Sequence, residues 1–141
     1  MRIIAWVAVA LLSSPRPAAA QKVETVELTA KLVKIPGKFP PDDLYDYAYV
    51  MKYEVVGGKL DKQTIYVAHY KPRRARKKIR DKMRKHVAGK LKRFREGEMH
   101  RLKLARELRE IWKGALVDDF FAKDRKSTRY WCLQVDLAKK R

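Results

Sequence analysis

The sequence predicts a mainly β domain with one α-helix: a five-stranded Greek-key barrel whose helix sits between strands three and four. Three observations lead there. Five short stretches read as strands, most of them by apolar–polar alternation. Prolines and glycines punctuate them. One stretch alone shifts to a three- and four-residue apolar period.

The elements follow in order. Residues 22–35, KVETVELTAKLVKI, put Val26, Leu28, Ala30 and Leu32 on one face and Glu27, Thr29 and Lys31 on the other, the pattern of a half-buried strand. Val33 and Ile35 break that phase, so a bulge or bend is expected near Leu32-Val33. The loop PGKFPPDDL, residues 36–44, holds three prolines and a glycine and excludes regular structure. Residues 45–56 form the second strand, with Tyr45, Tyr47, Tyr49, Met51, Tyr53 and Val55 on one face and Ala48, Val50 and Val56 on the other. Gly57-Gly58 turns the chain, and a third strand over residues 64–70 stops at Pro72.

Over residues 73–95, Ile79, Met83, Val87, Leu91 and Phe94 recur at helical steps, the stripe of a basic amphipathic helix that Gly89 weakens. Residues 99–105, MHRLKLA, alternate again as the fourth strand. Residues 106–128 are irregular, with a helical turn around Leu108, Ile111 and Trp112 and the patch Asp118-Asp119-Phe120-Phe121. Residues 130–137 form the fifth strand, with Trp131, Leu133, Val135 and Leu137 expected to face in. Leu28, Leu32, Val67, Leu102, Leu104 and Val135 are the expected core.

Residues 1–20 read as an export signal: Arg2, an apolar run from Ile3 to Leu12, then Ala18-Ala19-Ala20 before Gln21. The run is roughly half of the about 20 apolar residues that a membrane span needs. The expected mature domain is therefore residues 21–141, exported to a periplasmic or extracellular setting and without a membrane span. Its one cysteine, Cys132, excludes an intramolecular disulfide. Lying within YWCLQV, that cysteine reads as a small buried hydrophobe.

Charge is the strongest compositional signal. The chain carries 35 Lys+Arg against 16 Asp+Glu, a formal net charge of +19. Between residues 71 and 95, fourteen basic side chains stand against one acid, Asp81. Such a segment draws polyanions: nucleic acid, acidic polysaccharide or anionic lipid.

The order strand, strand, strand, helix, strand, strand resembles the OB-fold, and a bent first strand suits that plan because it serves both halves of the barrel. More narrowly, the blocks YDYAYVMKYEV, IYVAHYKP, FREGEMHRLKL and RYW resemble small exported bacterial proteins associated with exopolysaccharide, alginate-type, O-acetylation systems. Their turn before strand four is matched here by Gly97-Glu98-Met99-His100-Arg101. The resemblance implies an OB-type domain in that envelope context and supplies no catalytic residue.

No enzymatic role is predicted. There is no G-x-S-x-G elbow, and the adjacent Asp118 and Asp119 point apart on an extended segment. No cofactor or metal is predicted either, because no two of His69, His86, His100 and Cys132 fall at helix-pair or C-x-x-C spacing. The strands carrying His69 and His100 could still bring those two together. Binding is the leading expectation. The helix face of Arg73, Arg74, Arg76, Lys77, Arg80, Arg84, Lys85, Lys92 and Arg93 would hold an acidic polysaccharide or nucleic acid. An OB-type groove would be lined by Asp42, Asp43, Tyr47, Tyr49, Trp112, Asp118, Asp119 and Phe120. The alternative function is an accessory domain that docks through this groove on a membrane-associated polysaccharide-modifying envelope complex.

Overall fold

The computed structural model describes residues 23–41 and 44–139; the expected export segment, Gln21, Asp42 and Asp43 lie outside them. The strands are β1 (Thr25–Lys34), β2 (Tyr47–Val55), β3 (Thr64–Tyr70), β4 (Met99–Ala105), β5 (Ala115–Val117) and β6 (Arg129–Leu137), and the one-turn helix α1 (Leu108–Ile111) precedes β5. Five strands close in the order β1–β2–β3–β6–β4 and back to β1, the closed, OB-fold-like barrel that the sequence predicts. Every barrel pairing is antiparallel except β3 with β6. The short β5 adds on in parallel to the start of β2. No helix among the described residues is long and apolar enough to cross a membrane.

The bend in β1 falls where the apolar phase slips. β1 pairs with β4 over Thr25–Lys31 and with β2 from Ala30 onward, and its register against β2 shifts between Leu32 and Lys34. The turn before β4 ties the bulge down: Leu32 N–H donates to Glu98 O (2.9 Å), Gly97 N–H to Leu32 O (2.7 Å) and Ile35 N–H to the Glu96 carboxylate (2.7 Å). A second bulge revises the expected faces of the last strand. Leu102 pairs with Val135 but Leu104 with Cys132, so β6 carries one extra residue. Cys132 and Val135 therefore enter the barrel interior, Trp131 points to its outer side, and Leu137 is 55% exposed.

The segment between β3 and β4 is the main departure from expectation. Residues 71–98 form no α-helix. They run as a strap with two short 3-10 turns, Arg76–Lys78 and Arg84–His86. Three physical causes combine. The first is hydrogen bonding: β3 pairs with β6 only as far as Ala68 and Trp131, which leaves the next stretch of the β6 edge without a strand. The strap supplies the missing bonds, Ala88 N–H to Leu133 O (2.8 Å), Val135 N–H to Ala88 O (3.1 Å) and Leu91 N–H to Val135 O (3.4 Å), and buried backbone groups need such partners. The second is that the stripe serves two cores. Ile79, Met83 and Val87 pack on the outer side of β2 and β3 with Ala48, Val50, Tyr66, Ala68 and Tyr70, whereas Leu91 and Phe94 enter the barrel. One straight helix cannot present a single stripe to both places. The third is charge: Arg76, Arg80 and Arg84 would be stacked at four-residue spacing on a helix and would repel one another.

Gly89 makes the crossing possible. Its φ is +115°, and a Cβ there would lie 2.1 Å from the Val135 carbonyl oxygen. Backbone strain and overpacking each cost about 1–3 kcal/mol, so Gly89→Ala is expected to destabilise the protein by about 2–6 kcal/mol. At Gly57 φ is +83° but a Cβ meets nothing within 4 Å, so Gly57→Ala should cost only about 1 kcal/mol. Urea midpoints of the two variants check the difference. Equal losses would remove the strap–β6 crossing as a constraint.

Candidate functional site

The strap divides its side chains sharply. Its apolar residues go in, and its cations stay out. Of the fourteen basic residues between 71 and 95, all but Lys71 and Arg76 are exposed. Arg73, Arg74, Lys77, Arg80, Arg84, Lys85, Lys92 and Arg93 thus lie on the surface as expected. So do Lys78, Lys82, Lys90 and Arg95, which a helical-face reading leaves aside; their charge alone was the signal. Among the described residues, none of Lys77, Arg80, Arg84, Lys85, Lys92 and Arg93 is in an ion pair. The one acid between residues 71 and 95, Asp81, is exposed but engaged within the protein: it accepts the Tyr70 hydroxyl (2.7 Å) and the Met83 N–H (2.8 Å).

Arg76 is a correction to the polyanion set. It is 3% exposed, its guanidinium donates to Lys71 O (2.9 Å) and Arg74 O (3.0 Å), and it lies 5.1 Å above the Phe94 ring. This arginine pins the strap and does not face a ligand. Lys71 is likewise buried, against Asp46 at 2.7 Å, and that contact holds the Asp46 carboxyl below its usual value.

The expected groove residues are also largely spoken for by the protein itself. Tyr47 and Tyr49 fill the barrel interior; Tyr47 donates to Pro40 O (2.9 Å), and Phe39 meets the Tyr49 ring edge-on. Trp112 stacks on Trp131 at 5.9 Å and donates to Ala115 O. Asp118 accepts from Arg129 at 2.8 Å, and the Arg129 guanidinium covers Tyr66 at 4.4 Å. Phe120 packs on Tyr66 at 5.0 Å, and Asp119 is exposed. The outer face of β2 and β3 is thus covered by the strap and by the segment between β4 and β6, and the aromatic platform expected there is closed.

A second constellation lies inside the barrel. The Tyr53 hydroxyl lies 2.9 Å from His69 Nε2 and 3.0 Å from His100 Nδ1, with all three residues fully buried. The sequence places both histidines on strands but gives neither their shared partner nor the burial of His100. Glu98 Oε1 stands 3.7 Å from His100 Nε2. Tyr53 has one hydrogen to give, which orders the chain. With a carboxylate facing it, His100 Nε2 carries the ring hydrogen, its Nδ1 accepts from Tyr53, and Tyr53 accepts from His69 Nε2–H. His69 Nδ1 is then left as a buried lone pair with no hydrogen-bond partner among the described residues. Burial, reinforced by Arg76 and by His100, pushes His69 well below the usual imidazole value. Burial also lowers His100, against the pull of Glu98.

Cys132 adjoins this chain but is not activated. Burial pushes its thiol up to about 12, with Arg76 opposing only in part. Among the described residues, no three His, Cys, Asp or Glu side chains gather so as to hold a metal ion.

Removing the Tyr53 hydroxyl leaves two buried imidazoles unpaired, a loss of about 1–3 kcal/mol for each buried group left without a partner. Tyr53→Phe is therefore expected to lower the unfolding free energy by at least about 2 kcal/mol in urea titration; an unchanged midpoint would mean that the network contributes no stability. Comparisons with family models, with curated proteins and with solved structures found no match to this chain.

Proposed function

We propose that this protein is an exported, non-catalytic binding module that holds an acidic polymer, polysaccharide or nucleic acid, on the outer surface of its strap. The observation that supports this reading most is the strap itself. Over residues 73–95 it is a run of exposed cations with one acid, Asp81, that is taken up by Tyr70 and the Met83 N–H, and it is fixed to the barrel by five apolar anchors and by backbone bonds. Exposed like charges within a Debye length of about 10 Å at 0.1 M salt repel one another, and a polyanion relieves that repulsion. The rings beneath the strap, Tyr66, Tyr70, Trp112 and Trp131, are buried, and so is the strap's own ring, Phe94. Recognition is therefore by backbone charge, without sequence readout.

The experiment is salt-dependent binding. The protein should be retained on heparin and alginate resins at low salt, and its affinity for duplex DNA should fall with a log–log slope of about −0.9 per contacted phosphate. Replacing Lys77, Arg80, Arg84 and Lys85 together by Gln should reduce the slope by about 3 units while leaving the melting curve in place. Arg76→Gln should do the reverse, lowering stability and leaving the slope nearly untouched. Absence of retention at low salt, or binding indifferent to salt, would reject the reading.

A further inference from the structure

The buried histidine pair and the basic strap meet at one side chain. Phe94 packs its ring at 4.4 Å from His69 and 6.0 Å from His100, and Arg76 lies on the same ring. The other walls around the pair are sheet strands: β3 and β4 themselves, β2 through Tyr53, and β6 through Cys132. Those strands are locked by ladders, whereas the strap has only two short 3-10 turns. Besides its apolar anchors and the Arg76 guanidinium, its backbone is held by Arg76 N–H to Leu91 O (3.0 Å) and by its few bonds to β6. The cheapest route for either imidazole to water is therefore under the strap.

We propose that the His69–Tyr53–His100 cluster is an acid-operated latch: a proton taken up by the pair lifts the strap segment carrying Arg76, Leu91 and Phe94 while the five-stranded barrel stays closed. The chemistry follows from the contacts. A second proton on His69 goes to Nδ1, where no acceptor stands among the described residues and the nearby charge is the Arg76 guanidinium. A second proton on His100 turns Nδ1 into a donor, and Tyr53 loses the acceptor for its own hydroxyl. The charged and titratable groups facing the pair are Tyr53 from β2, Arg76 from the strap, Glu98 before β4 and Cys132 from β6. Glu98 is the one carboxylate among them, and it stands beside His100 only.

The sign is fixed by linkage. In the closed state both imidazoles are depressed below their ordinary value, so the open state binds more protons. Docking of the strap is complete above about pH 6.5, the ordinary imidazole value, and weakens as the pH falls below it. This holds whatever the strap binds, so its test is separate from that of polymer binding.

Native-state hydrogen exchange of the unliganded wild-type protein at pH 7 and pH 5, corrected for intrinsic rates, reads the latch. The opening constant of the Ala88 and Leu91 amides should rise about 25-fold for one imidazole released between these pH values. Amides in the β2–β3 ladder should stay at least about tenfold better protected than the strap at pH 5. His86→Gln is the control, because His86 lies in the strap and its value is also lowered, chiefly by burial. The rise should survive in that variant. Strap protection unchanged between the two pH values, equal protection of strap and ladder at pH 5, or loss of the rise in His86→Gln would each overturn the proposal.

Discussion

The backbone bonds between the strap and β6 are the contact on which the rest of the architecture depends. β3 and β6 run parallel and diverge after three paired residues, so a barrel closed by these strands has a gap at one place on its wall. An unpaired strand edge beneath apolar side chains costs stability, since each buried backbone group without a partner loses a hydrogen bond. Ala88 and Leu91 close that gap, and the close approach they need is why residue 89 carries no side chain. Once the backbone is extended there, a helix over the same residues is excluded, and each strap side chain has its place assigned.

That assignment explains how so basic a segment stays docked. Each fully buried apolar anchor contributes about 1.5–3 kcal/mol, whereas repulsion between neighbouring exposed cations costs a few tenths of a kcal/mol per pair. Five anchors, Ile79, Met83, Val87, Leu91 and Phe94, outweigh the repulsion and hold the charges at the surface as a fixed array. Arg76 is the exception that locks the strap from within. Its guanidinium finds two carbonyls and a ring, a pairing that lets a cation stay dry.

The same packing closes one face of the barrel. In a barrel of this plan, the outer face of strands two and three is a common binding groove. Here that face is an interior, because Tyr66, Tyr70, Trp112 and Trp131 form one cluster with strap residues. What the protein presents above that face is the charged back of the strap. Architecture alone does not place a binding site, and the covering of this face is what separates the barrel plan from its usual use.

Much of this was legible in the sequence. Alternation located all five barrel strands to within a few residues, and the phase slip at Leu32-Val33 marked the bulge, because side-chain period and burial are local properties of a strand. Cys132 read correctly as buried from its apolar flanks. Other features depended on pairing between distant residues. The bulge in β6 exists only against β4, so the faces of Trp131, Leu133 and Leu137 could not be read from β6 alone. Tyr53, His69 and His100 stand on three different strands, and only closure of the barrel brings them to one point. The stripe from Ile79 to Phe94 did determine which apolar residues would be buried, and most of the cations are exposed as expected, Arg76 being the exception. Whether that stripe would be a helix or a strap was decided by the open edge of β6, a demand made by the tertiary structure and absent from the segment's own residues.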